Sequence, residues 1–311
     1  MTSMNRREML ATVATVAGVA AASSASAEQQ RRSASGAKKI STTRFVDAND
    51  ATRLFVRSWG AGAPIVLVHS WALNSDMWQY QTVELAARGY RCIAYDRRGH
   101  GRSDEPAQGY DFDTLADDLA SVVDACELTG ITLVAHSMGA GEVVRYLTRH
   151  GAKRVSRVVL LAPTTPCMLR REDNPDGVPA QAFEALRAQW RADFPKWVVD
   201  NTPPFFTKDT SAAMMQWGTS LMLRASLPVA IECNRAMVEA DFRADLRAMT
   251  VPTRVLHGDA DVSAPLALTG ARTAALIPGC RLDVYAGAPH GLFLTHMSRV
   301  NADILDFIAR A

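Results

Sequence analysis

Residues 135–139 read Ala135-His136-Ser137-Met138-Gly139, a serine set among small residues after an apolar run. Such a serine becomes a nucleophile when a turn exposes its Oγ and a base stands within about 3 Å of it. Where a strand turns sharply into a helix, the positions two before and two after the serine must be small, the pattern G-x-S-x-G. Ala135 stands in place of the first glycine and adds one methyl, while Gly139, Ala140 and Gly141 keep the other side open. A bland reading of the same serine is a helix N-cap. His136 is a poor candidate for the base, because consecutive side chains diverge on a tight turn. Its expected direction is back between sheet and helix, so the base must come from another of the seven histidines.

The elements that must position these groups alternate along the chain from residue 41. Short β-branched runs predict strands over 53–58, 65–69, 92–96, 131–136, 155–161, 253–257 and 282–285. Several, such as IVLVH and RVVLLA, are apolar throughout, which suits parallel strands covered on both faces. Helical periods fall between them, over 78–88, 115–127, 141–150, 266–276 and 300–309. The alternation predicts a doubly wound α/β fold with a mostly parallel sheet. One segment, about 164–250, has no convincing strand but carries helical patterns rich in Trp, Phe and Met. That is too long for a loop. It is read as a helical cap over the C-terminal strand ends, where such sheets bind ligands.

A nucleophile elbow between strand and helix is the mark of an α/β-hydrolase, in which acid and base follow the serine after late strands. After the strand at 253–257 comes HGDADVSAP, offering Asp259 and Asp261; after the last strand comes AGAPHGLFL, with His290. His290 is the expected base. Asp261, one loop earlier, is the expected acid that steers its Nδ1. Asp259, nearer the strand, is expected to hydrogen-bond within the turn. The alternative acid position after 155–161 reads APTTP and holds no carboxylate. His69, His100, His150, His257 and His296 take structural readings, and none pair at metal-ligand spacing. The loop after the first inner strand normally donates one oxyanion N–H and the residue after the nucleophile the other. These are Trp71 and Met138, with Ser70 standing where a glycine is usual.

Three longer stretches, HSWALNSDMWQYQTVELAARGYRCIAYDRRGHGRSD, AHSMGAGEVVRYLTRHGAKRVSRVVLLAP and VLHGDADVSAPL with APHGLFLTH, resemble the bacterial aryl esterase and non-haem haloperoxidase (perhydrolase) group of α/β-hydrolases. The resemblance covers residues 41–311, cap included. It implies Ser137, Asp261 and His290 as a catalytic triad, Trp71 and Met138 as oxyanion donors, and no haem, metal or other cofactor. Members of the group hydrolyse esters through an acyl-serine, and some let hydrogen peroxide replace water and so form peracids that oxidise halide. Strong perhydrolases of the group often carry a proline after the oxyanion residue. That position is Ala72, which favours ordinary hydrolysis. The expected function is therefore a serine carboxylesterase for small apolar or aromatic esters, with cofactor-free perhydrolysis as the alternative. Lactone and amide hydrolysis use the same triad, whereas an epoxide hydrolase or haloalkane dehalogenase would need Asp at the elbow.

Composition sets the remaining bounds. A net charge of +2, from 34 basic and 32 acidic residues without long runs of either sign, argues against a nucleic-acid surface. No stretch of 18 apolar residues would span a bilayer, so stable membrane insertion of the mature protein is not expected. Residues 1–27 read as an export signal of twin-arginine type, with Arg6-Arg7, a mild apolar stretch and Ala25-Ser26-Ala27; residues 28–40 read as a polar leader. This predicts a periplasmic or secreted protein. Five scattered cysteines suit buried free thiols better than a disulfide scaffold. The expected partner is a small-molecule ester. The oligomeric state is not legible.

Overall fold

The computed structural model describes residues 43–309. The proposed export signal and leader lie outside them. Eight strands form one sheet in the order β1-β2-β4-β3-β5-β6-β7-β8. They are β1 (Thr43–Asp47), β2 (Arg53–Trp59), β3 (Ala63–Val68), β4 (Tyr90–Tyr95), β5 (Ile131–His136), β6 (Val155–Leu161), β7 (Thr253–Gly258) and β8 (Arg281–Tyr285). β1 pairs antiparallel with β2, and β2 with β4; every other pairing is parallel.

β1 is absent from the expected strands. It is an edge strand whose one buried hydrophobic side chain is Val46, while Arg44 and Phe45 are exposed. A single inward residue leaves no periodicity to read. The inner strands behave as their apolar runs predict: Val66, Leu67, Leu133, Val134, Val158 and Val159 are all fully buried.

Helices cover both faces: α1 (Gln79–Ala87), α2 (Phe112–Ala125), α3 (Met138–His150), then α4 to α7 between β6 and β7, α8 (Gly270–Leu276), α9 (Leu292–Thr295) and α10 (Met297–Ala309). α2 begins three residues before its expected start because Asp111 caps it, accepting from the Thr114 N–H at 2.9 Å. α8 begins four residues late, at Gly270, whose close packing on the His257 ring leaves no room for a Cβ.

The cap is helical: α4 (Ala180–Asn201), α5 (Ala212–Met222), α6 (Leu227–Glu239) and α7 (Arg243–Arg247). α4 is broken at Asp193, which is extended. The Asp193 carboxylate accepts from the Lys196 N–H at 2.9 Å and so caps a second helical half, with Pro195 in its first turn. Proline has no N–H to lose there, so it marks a restart rather than a defect. Trp190, Phe194, Val198, Ala230 and Ile231 form the cap's own buried cluster, with Trp71 packed against it. Cys92, Cys126, Cys167 and Cys233 are buried and Cys280 half-buried, all as free thiols. Among the described residues, no helix is long and apolar enough to cross a membrane.

Candidate active site

Parallel strands end along one edge of the sheet, so the loops after β3, β5, β7 and β8 meet there. β3 and β5 are neighbours from which the chain departs in opposite directions, the crevice where such sheets bind ligands.

Ser137 follows β5 directly and precedes α3. Its φ of 56° and ψ of −119° lie in a region that non-glycine residues rarely occupy. The turn is held from outside, the Ser137 N–H donating to the Leu161 carbonyl at 2.9 Å. The demand for small neighbours is visible in contacts. A Cβ on Gly139 would stand 2.8 Å from the His69 carbonyl oxygen, and one on Gly141 would stand 2.6 Å from the Phe242 ring. Ala135 is fully buried opposite Val68 of β3, and its methyl is accommodated there.

His290 brings its Nε2 to 2.9 Å from Ser137 Oγ and its Nδ1 to 2.6 Å from Asp261 Oδ2. With Nδ1–H donating to the carboxylate, Nε2 is left to accept from the serine hydroxyl, the orientation a general base requires. Both oxygens of the Asp261 carboxylate accept two hydrogen bonds each. Its Oδ1 accepts from the N–H groups of Ser263 (2.9 Å) and Ala264 (2.8 Å), and its Oδ2 also from His257 Nε2 (3.1 Å). Burial alone would raise its pKa. Electrostatic attraction to the His290 ring and the hydrogen bonds from His257, His290 and the Ala264 N–H outweigh it and hold the carboxyl below its usual range. Asp259 instead accepts from the Gly287 N–H at 2.7 Å, joining the β7 and β8 loops.

The ring beside Ser137 Oγ is that of His290 and not that of the adjacent His136; His136 is turned elsewhere. Its Nε2 donates to the backbone carbonyl of His290 at 2.9 Å, so it holds the chain that carries the His290 ring without facing the serine. Burial first, then the nearby His290 charge, push its pKa well below normal and keep it neutral. Sequence reasoning missed two supports. His257 is four residues before Asp261, a spacing that could have flagged it; its Nε2–H is shared between Asp261 and the Ala264 carbonyl at 2.8 Å. The other is Arg97, fully buried, whose guanidinium donates to Glu142 Oε2 on α3 (2.8 Å) and to the carbonyls of His69 (2.8 Å) and Ser70 (3.3 Å). Its own N–H donates to His69 Nε2 at 2.9 Å. One side chain thus ties the loop after β3 to the helix after the serine.

That loop carries Trp71. Its indole Nε1 donates to the Ala230 carbonyl at 2.9 Å and its ring stacks on Trp190 at 4.8 Å. Ser70 does not sit at positive φ; the left-handed residue of the loop is Ala72, at φ 54°. Met138 is the first residue of α3, so its N–H is one of the four that helix geometry leaves without an intrahelical acceptor. Above Ser137 and His290 lies a cavity of about 330 Å³ whose walls include Trp71, Phe183, Trp190, Trp197, Phe205 and Met222. Size and lining suit a small, largely apolar ligand.

Residues 63–296 match the family model described as alpha/beta hydrolase fold. The chain is 40% identical over 270 residues to a non-heme haloperoxidase of Rhodococcus erythropolis, covering 85% of this chain and 98% of that protein. Among solved structures it is similar to a bromoperoxidase from Bacillus anthracis, at a TM-score of 0.82 and 33% identity over 86% of this chain and 99% of that one. It is equally similar to an esterase from Exiguobacterium antarcticum, with a TM-score of 0.82 and 33% identity over 85% and 98%. Sheet order, elbow and these likenesses agree: the chain belongs to the α/β-hydrolase family, in its esterase and non-haem haloperoxidase group.

Proposed function

We propose that the protein is a serine ester hydrolase that cleaves small, uncharged apolar or aromatic esters through an acyl-enzyme. The observation that carries this reading is the unbroken line from Ser137 Oγ through the His290 ring to Asp261, at 2.9 and 2.6 Å. His290 Nε2 takes the hydroxyl proton as Oγ attacks the ester carbon, and Asp261 stabilises the imidazolium that forms. The backbone N–H groups of Trp71 and Met138 hold the oxyanion of the tetrahedral intermediate. His290 then returns the proton to the departing alcohol. Water attacks the acyl-serine by the same route, releasing the acid and restoring the serine. Hydrolysis of p-nitrophenyl acetate by Ser137→Ala tests this. A loss of kcat by a factor on the order of 10⁶ is expected, and retained activity would remove Ser137 from the mechanism.

Perhydrolysis is the second reading, favoured by the haloperoxidase names among the relatives. Peroxide would attack the same acyl-serine in place of water, and the peracid released would oxidise halide. Ala72 weighs toward water: a proline ring holds φ near about −65°, and this position sits at φ 54°. Bromination of phenol red in acetate buffer with peroxide and bromide, measured beside ester hydrolysis, ranks the two. Fast bromination with negligible hydrolysis would reverse the order.

A further inference from the structure

The cavity wall is apolar along most of the cap, with one polar side chain set into α6. Ala230, Asn234 and Met237 follow at spacings of four and three, one stripe of the helix. Ala230 docks the Trp71 indole through its carbonyl; Asn234 and Met237, further along the stripe, line the cavity. Asn234 is 3% exposed. Its Oδ1 accepts from Arg187 Nη1 at 2.7 Å, across from α4. Arg187 is 5% exposed, and its Nη2 donates to Glu184 Oε1 at 2.6 Å.

A guanidinium only donates, so the Asn234 amide can face Arg187 only with its oxygen. The amide orientation follows from chemistry. Its Nδ2 is therefore directed away from Arg187, and among the described residues no protein acceptor takes it. Nor is Nδ2 one of the polar atoms sealed from solvent without a partner. A buried amide that lines a cavity and has its oxygen occupied offers the occupant two N–H donors.

We propose that Asn234 is a specificity-determining residue whose Nδ2 donates to a neutral carbonyl oxygen carried on the acyl part of the ester, away from the scissile bond. The substrates it favours are oxo-acyl esters over plain hydrocarbon ones. A carboxylate is disfavoured, because desolvating it in an otherwise apolar cavity costs far more than one hydrogen bond returns. The inference rests on the ester-hydrolase reading for its choice of substrates, and Arg187 serves as a positioning residue that holds the amide in this sense.

The test compares ethyl hexanoate with ethyl 3-, 4- and 5-oxohexanoate, each kcat/KM divided by the ester's rate of alkaline hydrolysis. In the wild type at least one oxo ester is expected to lead by about fivefold to tenfold. That lead should vanish in Asn234→Leu. It should also vanish in Asn234→Asp, which keeps a partner for Arg187 but has no donor to offer. The oxo-to-plain ratio is taken within each enzyme, so a change in a variant's overall rate does not enter the comparison. An unchanged oxo-to-plain ratio in the variants, or no lead in the wild type, overturns the proposal. Binding of the uncleaved esters to Ser137→Ala, followed by fluorescence of the cavity tryptophans, reads the same ratio as Kd without turnover. If the wild type cleaves none of these esters the hydrolase reading falls. The Asn234 assignment is then decided by binding alone, and equal Kd values end it.

Discussion

The sheet edge and the cap face each other across one cavity, and they are built from different forces. On the sheet side each functional group is held by several short polar contacts: four donors converge on Asp261, and Arg97 reaches two carbonyls and a carboxylate. On the cap side Trp190, Phe194 and Trp197 hold one another by ring packing and receive Trp71 from the loop after β3, at centroid distances of 4.8 to 6.2 Å. Hydrogen bonds are directional and set an atom's position, whereas apolar packing is non-directional and sets a volume. Under the proposed function the chemistry and the choice of ester are then separable: damage to the sheet edge should alter rate, and damage to the cap should alter preference.

Under the proposed mechanism the largest effect expected from this contrast lies at Asp261. Asp261→Asn should lower kcat for p-nitrophenyl acetate by about 10⁴, because His290 loses the partner that fixes its tautomer. The ranking of esters should stay the same; a changed ranking with an intact rate would break the division. Next comes the strut beneath the Trp71 loop. Arg97→Met leaves Glu142 buried without its cation and should cost about 3–5 kcal/mol in urea unfolding. Its residual activity should fall in kcat more than it rises in KM.

The sheet side also carries the pH dependence of stability. Burial, then Arg97, pushes His69 well below its normal pKa and His100 down to about 3, and His136 is depressed by burial and His290. The unfolded chain binds protons at these positions below about pH 6.5. The folded chain does not, so stability rises with pH and is lost as pH falls from that point. Each such histidine contributes up to about 1.4 kcal/mol per pH unit. Urea midpoints between pH 8 and 5 should therefore fall, and His100→Gln should flatten the slope by one proton. A flat profile would contradict the buried neutral rings.

The smallest expected effect belongs to the cap. Trp190→Ala opens space behind Trp71 and should move relative kcat/KM toward bulkier acyl groups by about 10- to 100-fold, the range that apolar pocket contacts supply. The pH–rate profile should not move. A shifted profile would mean that the cap tunes His290, and the two sides would no longer be separable.

Local sterics and periodicity made part of this molecule legible from the order of its residues alone. The elbow at Ser137 was legible because small neighbours are required within two residues of it, and the inner strands because fully buried strands are apolar throughout. Late loops bearing Asp261 and His290 were legible from element order. β1 was not, since one buried side chain makes no pattern. Contacts between residues far apart in the chain became visible only in the folded molecule. His290 meets Ser137 across 153 positions, Trp71 docks on Ala230 across 159, and Arg187 orients Asn234 across 47. Arg97, Glu142 and His257 read as ordinary polar residues until the fold brings their partners to them. The physical reason is range. Steric and periodic rules act over a few residues, whereas a hydrogen bond is decided by tenths of an ångström between atoms that only the packed core brings together.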